Sequence, residues 1–224
     1  MKNIFSILAI SLILLMSSCV PELNFEEPQP ENEKNQIKLK NRFLGTYLCL
    51  SDSSILTVDK NKIVQNWHTI FKVSKAELDT TDDIEIRNGM IYSPENEKAL
   101  PVEFIGDTAV ITWDAEKTIF KISDKQILRH FKGLYFLNFQ ESDDLWTVKT
   151  LQLKKDILTI NKIYGGHAKI EKIKEMTKVK EITDEKGVVV DYKIKPSKKE
   201  LKEILKSDLL KEGNKFQKIK KQAN

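Results

Sequence analysis

Among the side chains of this 224-residue chain that could do chemistry, one cysteine sits where covalent modification is expected and the rest are scattered. Cys19 follows an apolar run, residues 4–16, that is broken only by Ser6 and Ser11 and closed by Ser17-Ser18. Cys49 lies inside the apolar run 43–50 and reads as a small buried hydrophobe. The histidines are far apart: His68 and His130 fall within expected strands, where a structural role is the default, and Gly165-Gly166-His167 reads as a loop tip at a strand end. The pairs Asp82-Asp83 and Asp143-Asp144 offer oxygens, but calcium needs about six to eight of them from alternating acidic positions. Neither pair has that spacing, so both read as turn-capping acids. Trp67, Trp113 and Trp146 stand among polar residues and could fill a core or line a sugar or lipid cavity. There is no Gly-x-Ser-x-Gly elbow, His-Glu-x-x-His, phosphate-binding glycine loop or paired Cys-x-x-Cys. The chain therefore reads as non-enzymatic, with no catalytic residue, metal ligand or cofactor site expected.

Lys2, the apolar run and the small residues after it have the layout of a secretory signal with a cleavage site between Ser18 and Cys19. Thirteen residues at ~1.5 Å each reach about 20 Å, short of the ~30 Å hydrocarbon core. Met16-Ser17-Ser18-Cys19 resembles the lipobox of bacterial lipoproteins. The resemblance implies a diacylglycerol on the Cys19 sulfur, cleavage before it, and a further acyl chain on the new amino group. Two or more chains hold a protein stably on a membrane. Val20 stands where Asp retains such proteins at the inner membrane. The resemblance thus implies a cell-envelope protein at the outer membrane, on either face.

Residues 20–41 hold Pro21, Pro28 and Pro30 with Glu22, Glu26, Glu27, Glu31 and Glu33. Proline and like charge predict an extended acidic tether, at about 3 Å per residue as much as ~65 Å long. Residues 145–224 carry 21 lysines against 11 acids, whereas residues 19–144 carry 22 acids against 15 basic residues. Such asymmetry admits an envelope protein or an anionic surface as partner of the Lys-rich end. Lysines on a solvated face are the plainer account. Nucleic acid is not expected, because the chain is exported and its arginines are only Arg42, Arg87 and Arg129.

From residue 43 short β-rich runs alternate with turn chemistry, which predicts a mainly β, antiparallel meander forming a barrel or a sandwich. Asn88-Gly89 predicts a type I′ hairpin between residues 84–86 and 90–92. Gly106-Asp107 should join residues 102–105 to 108–113, with a further turn at 114–117 and a strand at 118–122. Residues 63–73 read as one long strand or a bent pair. Longer strands are expected at 127–139, 145–153 and 157–164. The chain also echoes itself, at 43–48 with 131–136, 55–60 with 157–162 and 70–74 with 119–123, as if paired copies built the same elements.

The tail predicts a hairpin, residues 179–183 with 188–194, and then one amphipathic helix over 198–212. Ser197 and Glu200 form its capping box, Leu201, Ile204, Leu205 and Leu209 its stripe, and Gly213 its stop. The expected organisation is a signal peptide 1–18, a lipidated tether 19–41, a β domain 42–168 and a basic module 169–224. A Gly45-x-Tyr47 first strand, a meander and a late helix after Pro196 are similar to a lipocalin-type barrel, where the pattern is Gly-x-Trp. That resemblance implies similar architecture over residues 42–164, and carriage of a hydrophobic ligand or a glycan-acting hydrolase are the alternatives to a binding or interaction module.

Overall fold

The computed structural model describes residues 21–80, 84–93, 99–163, 167–207, 209–211 and 213–219. The signal segment, Ser18, Cys19, Asp82-Asp83 and Gly165-Gly166 lie outside them. In chain order the strands are β1 Glu22–Phe25, β2 Gly45–Cys49, β3 Ile55–Val58, β4 Lys62–Ser74, β5 Glu85–Arg87, β6 Met90–Tyr92, β7 Leu100–Ile105 and β8 Thr108–Lys121. They continue with β9 Gln126–Phe131, β10 Leu134–Ser142, β11 Leu145–Lys154, β12 Ile157–Ile163, β13 Val179–Thr183, β14 Val189–Ile194, β15 Leu210–Lys211 and β16 Lys215–Lys218. The helices are α1 Lys75–Asp79, α2 His167–Lys174 and α3 Lys198–Lys206. The protein is mainly β, and its strand pairs among the described residues are antiparallel except for β1 with β14.

Two compact units interleave along the chain. The first takes residues up to Gln36, Asp124–Leu151 and Ile160–Gly213; the second takes Ile37–Ser123, Gln152–Thr159 and the residues from Asn214. The boundaries expected at residues 41 and 168 therefore do not hold, because the early strand β1 pairs with the late strand β14.

In the first unit the strands run in the order β9, β10, β11, β1, β14, β13. Leu23 and Phe25 of β1, Phe136, Trp146, Tyr192 and Ile194 share a buried core with Ile170 and Ile173 of α2 and Leu201 and Ile204 of α3. The expected tether is thus part of the fold. Residues 23 and 25 alternate with polar neighbours, and burying two large apolar side chains outweighs the pull of the adjacent glutamates towards water.

A polar clamp fixes the chain beyond β1. The Gln29 N–H donates to Asn138 Oδ1 (2.6 Å), and Asn138 Nδ2 donates back to the carbonyls of Gln29 and Ile127, each at 3.0 Å. Both residues are fully buried. Arg129 donates to the carbonyls of Pro28 and Pro30 and, through Nε, to Asn35 Oδ1 (3.0 Å). The Gln36 N–H then donates to Leu128 O (2.7 Å). Around this clamp the acidic residues meet lysines of the basic end: Glu22 with Lys162 (2.6 Å), Glu26 with Lys180, Glu27 with Lys195 (3.7 Å) and Glu33 with Lys198 (2.8 Å). Each such exposed pair contributes at most about 1 kcal/mol. Together they give part of the charge asymmetry a partner inside the chain.

The second unit orders its strands β16, β2, β3, β4, β8, β7, β6, β5, with the start of β12 pairing β16. Tyr47, Cys49, Leu56, Val58, Ile63 and Phe120 are buried there, and Leu78, Ile91, Val102, Ala109 and Ile111 form a second cluster. Asn88 and Gly89 have φ of 52° and 70°, the left-handed pair that a type I′ turn requires, and Gly106 (φ 60°) turns β7 into β8. β4 pairs with β8 along its whole length, Lys62↔Lys121 to Ser74↔Thr108. Strands joined up and down, as in a lipocalin-type barrel, would pair β4 with β5 instead.

Several sequence expectations are corrected. Residues 114–117 do not turn: β8 runs through them, because β4 supplies an uninterrupted partner, and the irregularity falls at Ile63/Val64. The strand expected at 127–139 is a hairpin, since Lys132 and Gly133 take φ of 49° and 82°. The 43–48 and 131–136 copies consequently differ: Phe43 closes a 3-10 turn before β2, whereas Phe131 ends β9. In the third echo Ile70 and Phe71 are exposed whereas Phe120 is buried. The 55–60 and 157–162 copies do both form strands, β3 and β12.

α3 starts where expected, with both halves of the Ser197–Glu200 capping box formed, but ends at Lys206 with Ser207 as its cap. Gly213 has another task. It lies against β12, where its N–H donates to Asn161 Oδ1 (3.0 Å) and an added Cβ would stand 1.5 Å from Ile160 O. Phe216 of β16 packs back into the second unit.

Asn138→Ala should lower the stability of the folded chain by about 2–4 kcal/mol in denaturant titration, because it strands buried backbone groups of Gln29 and Ile127. Gly213→Ala should cost more than about 3 kcal/mol, as backbone cannot yield to a side chain there; an unchanged denaturation midpoint would contradict that close approach.

Candidate functional site

The turn Ser51-Asp52-Ser53-Ser54 links β2 to β3, and its acid organises one end of the second unit. Asp52 Oδ1 accepts from the Ser54 N–H (3.0 Å) and from the Ser54 hydroxyl (2.6 Å). That hydroxyl in turn accepts from Gln65 Nε2 (2.6 Å), a buried side chain of β4. Asp52 Oδ2 accepts from the indole N–H of Trp67 (3.1 Å), two residues further along β4. Desolvation by its neighbours works to raise the pKa of the exposed Asp52, but the hydrogen bonds from Ser54, Cys49 and Trp67 prevail and hold it far below the usual carboxylate range. The half-buried indole is thereby fixed in orientation.

The long β4–β8 ladder supplies the rest. Its register sets Asn66 opposite Glu116, Trp67 opposite Ala115 and His68 opposite Asp114. His68 Nδ1 lies 2.7 Å from Asp114 Oδ1, with the two side chains 65% and 68% exposed. These residues, with Ser53 and Ile55, line an open groove of about 380 Å³. When Nδ1 carries the proton and donates to Asp114, Nε2 is left as an acceptor. The groove thus combines an oriented aromatic surface with an imidazole, an amide and two carboxylates, all wet. Acid–base chemistry is run by groups whose surroundings desolvate them, and a pair two-thirds exposed is better suited to recognising hydroxyls and amides than to driving proton transfer.

The other chemical candidates are dispersed. His130 of β9 packs its ring edge-to-face on Tyr135, centroids 4.8 Å apart, as a structural residue of the first unit. His167 opens α2 rather than tipping a loop. Trp146 is core, Trp113 is half-buried opposite Thr69, and Cys49 is a buried free thiol. Asp144, in the turn after β10, bonds Lys193 (2.6 Å), which lowers its pKa. Among the described residues no cluster of His, Cys, Asp and Glu could hold a metal ion, and no helix is long and apolar enough to cross a membrane. The sequence marks His68 and Trp67 but gives neither a partner, since Asp114 is 46 positions from His68 and reads there as part of a turn.

In comparisons with known proteins, no family model, no curated protein and no solved structure matches this chain.

The Asp52 carboxylate contributes stability that is present above its unfolded pKa of about 4 and is lost as pH falls towards its depressed folded value. Asp52→Ala should therefore cost about 1 kcal/mol at pH 7, a modest figure because the side chain is exposed to solvent. The gap from the parent protein should close as the pH of a denaturation series is lowered below about 4; a gap constant from pH 7 to pH 2 would contradict this role.

Proposed function

We propose that this chain is a lipid-anchored protein of the cell envelope, held through Cys19, whose second unit binds a hydroxyl-rich envelope ligand, a saccharide, in the Trp67–His68 groove. The observations that carry the binding part are the indole of Trp67, fixed by Asp52, and the exposed His68–Asp114 pair, residues that line one groove. An aromatic face accepts the C–H face of a sugar ring, while imidazole, amide and carboxylate groups around it exchange hydrogen bonds with hydroxyls. Affinity in such a wet, open groove is modest, so the role is recruitment or recognition without turnover. The support for the anchor is the run of residues 4–16 ending at Met16-Ser17-Ser18-Cys19.

A glycan hydrolase is the second reading, favoured by one feature. Asp114 and Glu116 stand two positions apart on β8, on one face, which spaces their backbones by about 6.7 Å, and paired acids about 5–10 Å apart can cleave glycosidic bonds. Carriage of a hydrophobic ligand fits less well, because the groove is open and its walls mix polar with apolar surface.

Calorimetric titration of the full chain with soluble peptidoglycan fragments and other envelope oligosaccharides tests the binding site. Measurable binding that Trp67→Ala weakens at least tenfold, without product release, is expected. No binding to any of them, or binding indifferent to Trp67→Ala, would contradict the assignment, and released sugar would favour the hydrolase. The mass of the mature amino terminus tests the anchor: a diacylglycerol adduct on Cys19 is expected, absent in Cys19→Ala.

A further inference from the structure

The way β1 enters the fold bears on how an anchored chain meets its membrane. Pro21, the first described residue, is buried, and Glu22 pairs at once with Asp191, its N–H donating to Asp191 Oδ1 (3.0 Å). Cys19 is two positions earlier, so even fully extended chain keeps it within roughly 7 Å of Pro21. An acyl group on Cys19 would therefore hold the first unit directly at the bilayer.

The parallel pairing of β1 with β14 decides which part of that unit comes with it. Because Glu22 lies opposite Asp191 and Phe25 opposite Ile194, the end of β1 nearest Cys19 is the end of β14 that emerges from the β13–β14 turn. Exposure climbs along β14 towards that turn, from Ile194 (1%) and Tyr192 (3%) to Val190 (41%) and Val188 (58%). The pairing with β13 shifts register there, so that Val189 packs on the core while Val188 and Val190 stand exposed on either side of it. The turn itself is closed on its own polar groups. Asp184 Oδ1 accepts from the N–H groups of Lys186 and Val188, each at 2.9 Å, the Asp184 N–H donates to Val188 O (2.9 Å), and the Gly187 N–H donates to Asp184 O (3.0 Å). These bonds satisfy the N–H groups of Asp184, Lys186, Gly187 and Val188 within the turn, which lessens the cost of their leaving bulk water.

Resting on the anchor reading above, we propose that the β13–β14 tip, Val188 and Val190 with Lys186 beside them, docks into the headgroup region of the phospholipid bilayer next to the Cys19 acyl chains. The valines bury against the acyl boundary while Lys186 faces lipid phosphates, as amphipathic surfaces do at this depth. The lipid chains and the tip then form two contacts on one rigid edge, so the first unit is held in one orientation instead of swinging on a stalk.

Collisional quenching in vesicles tests this. Full-length chain, produced in a bacterial host and purified in detergent, is reconstituted into vesicles of phosphatidylethanolamine and phosphatidylglycerol containing lipids brominated in the acyl chains. A fluorophore is placed at Val188→Cys or, at the far end of the same hairpin, at Lys178→Cys; both positions are exposed, and Cys49 is buried. Quenching at position 188 at least twice that at position 178 is expected. Equal quenching at the two positions, or none, in protein whose mass shows the Cys19 adduct would overturn the docking and leave the anchor standing. Protein without the adduct would overturn both.

Discussion

One buried amide carries much of the first unit. Asn138 offers its oxygen to Gln29 N–H and its nitrogen to the carbonyls of Gln29, Ile127 and Phe136, and so ties a segment rich in proline and glutamate to β9 and β10. Without it the backbone around Gln29 would face the unit's interior with no partner, a cost of about 1–3 kcal/mol for each orphaned group. With it, β1 can stay between β11 and β14, and the late part of the chain gains a sheet edge to join. The glutamate–lysine pairs then act as a register device around the clamp. They fix which lysine faces which acid, while the apolar pair Leu23 and Phe25 supplies most of the free energy.

The same constraint changes the meaning of the chain's charge. Lysines of the basic end that would otherwise advertise a site for an anionic partner are in part engaged by the acidic segment: Lys180, Lys195 and Lys198 each meet a glutamate between positions 26 and 33. Polar and aromatic side chains also stay exposed on the second unit, where Asp52 orients an indole and a long two-stranded ladder places His68 against Asp114. Turn and ladder do different work there. The turn fixes one aromatic plane, and the ladder sets polar groups at cross-strand spacing.

Local chemistry was legible in the sequence wherever it needed no distant partner. Asn88-Gly89 announced its turn because few other residue pairs enter the left-handed region so cheaply, and Ser197 with Glu200 announced the start of α3. The end of α3 is not legible because the stripe continues apolar through Leu209, while Gly213 is required by a tertiary contact that no local pattern reveals. Lys132-Gly133 was hidden inside an apolar run, and Asp114–Lys117 looked like a turn because its polar residues lie on the solvent side of a strand whose partner is far away in sequence. Strand β1 was missed for a related reason: two apolar residues among prolines and glutamates are too few to signal a strand, and its pairing partners lie more than a hundred positions away. For the groove, residue types were visible but their convergence was not, since Asp52, Trp67 and Asp114 come from three separate runs.

Hydrogen exchange read by mass spectrometry on the full chain tests the central claim most directly. If Asn138 and β1 lock the acidic segment into the first unit, the amides of Phe25, Glu26, Gln29 and Gln36 exchange as slowly as those of β10 and β11. Complete exchange of residues 22–36 within seconds, at the rate of an unstructured peptide, would contradict the account and restore the picture of a free stalk.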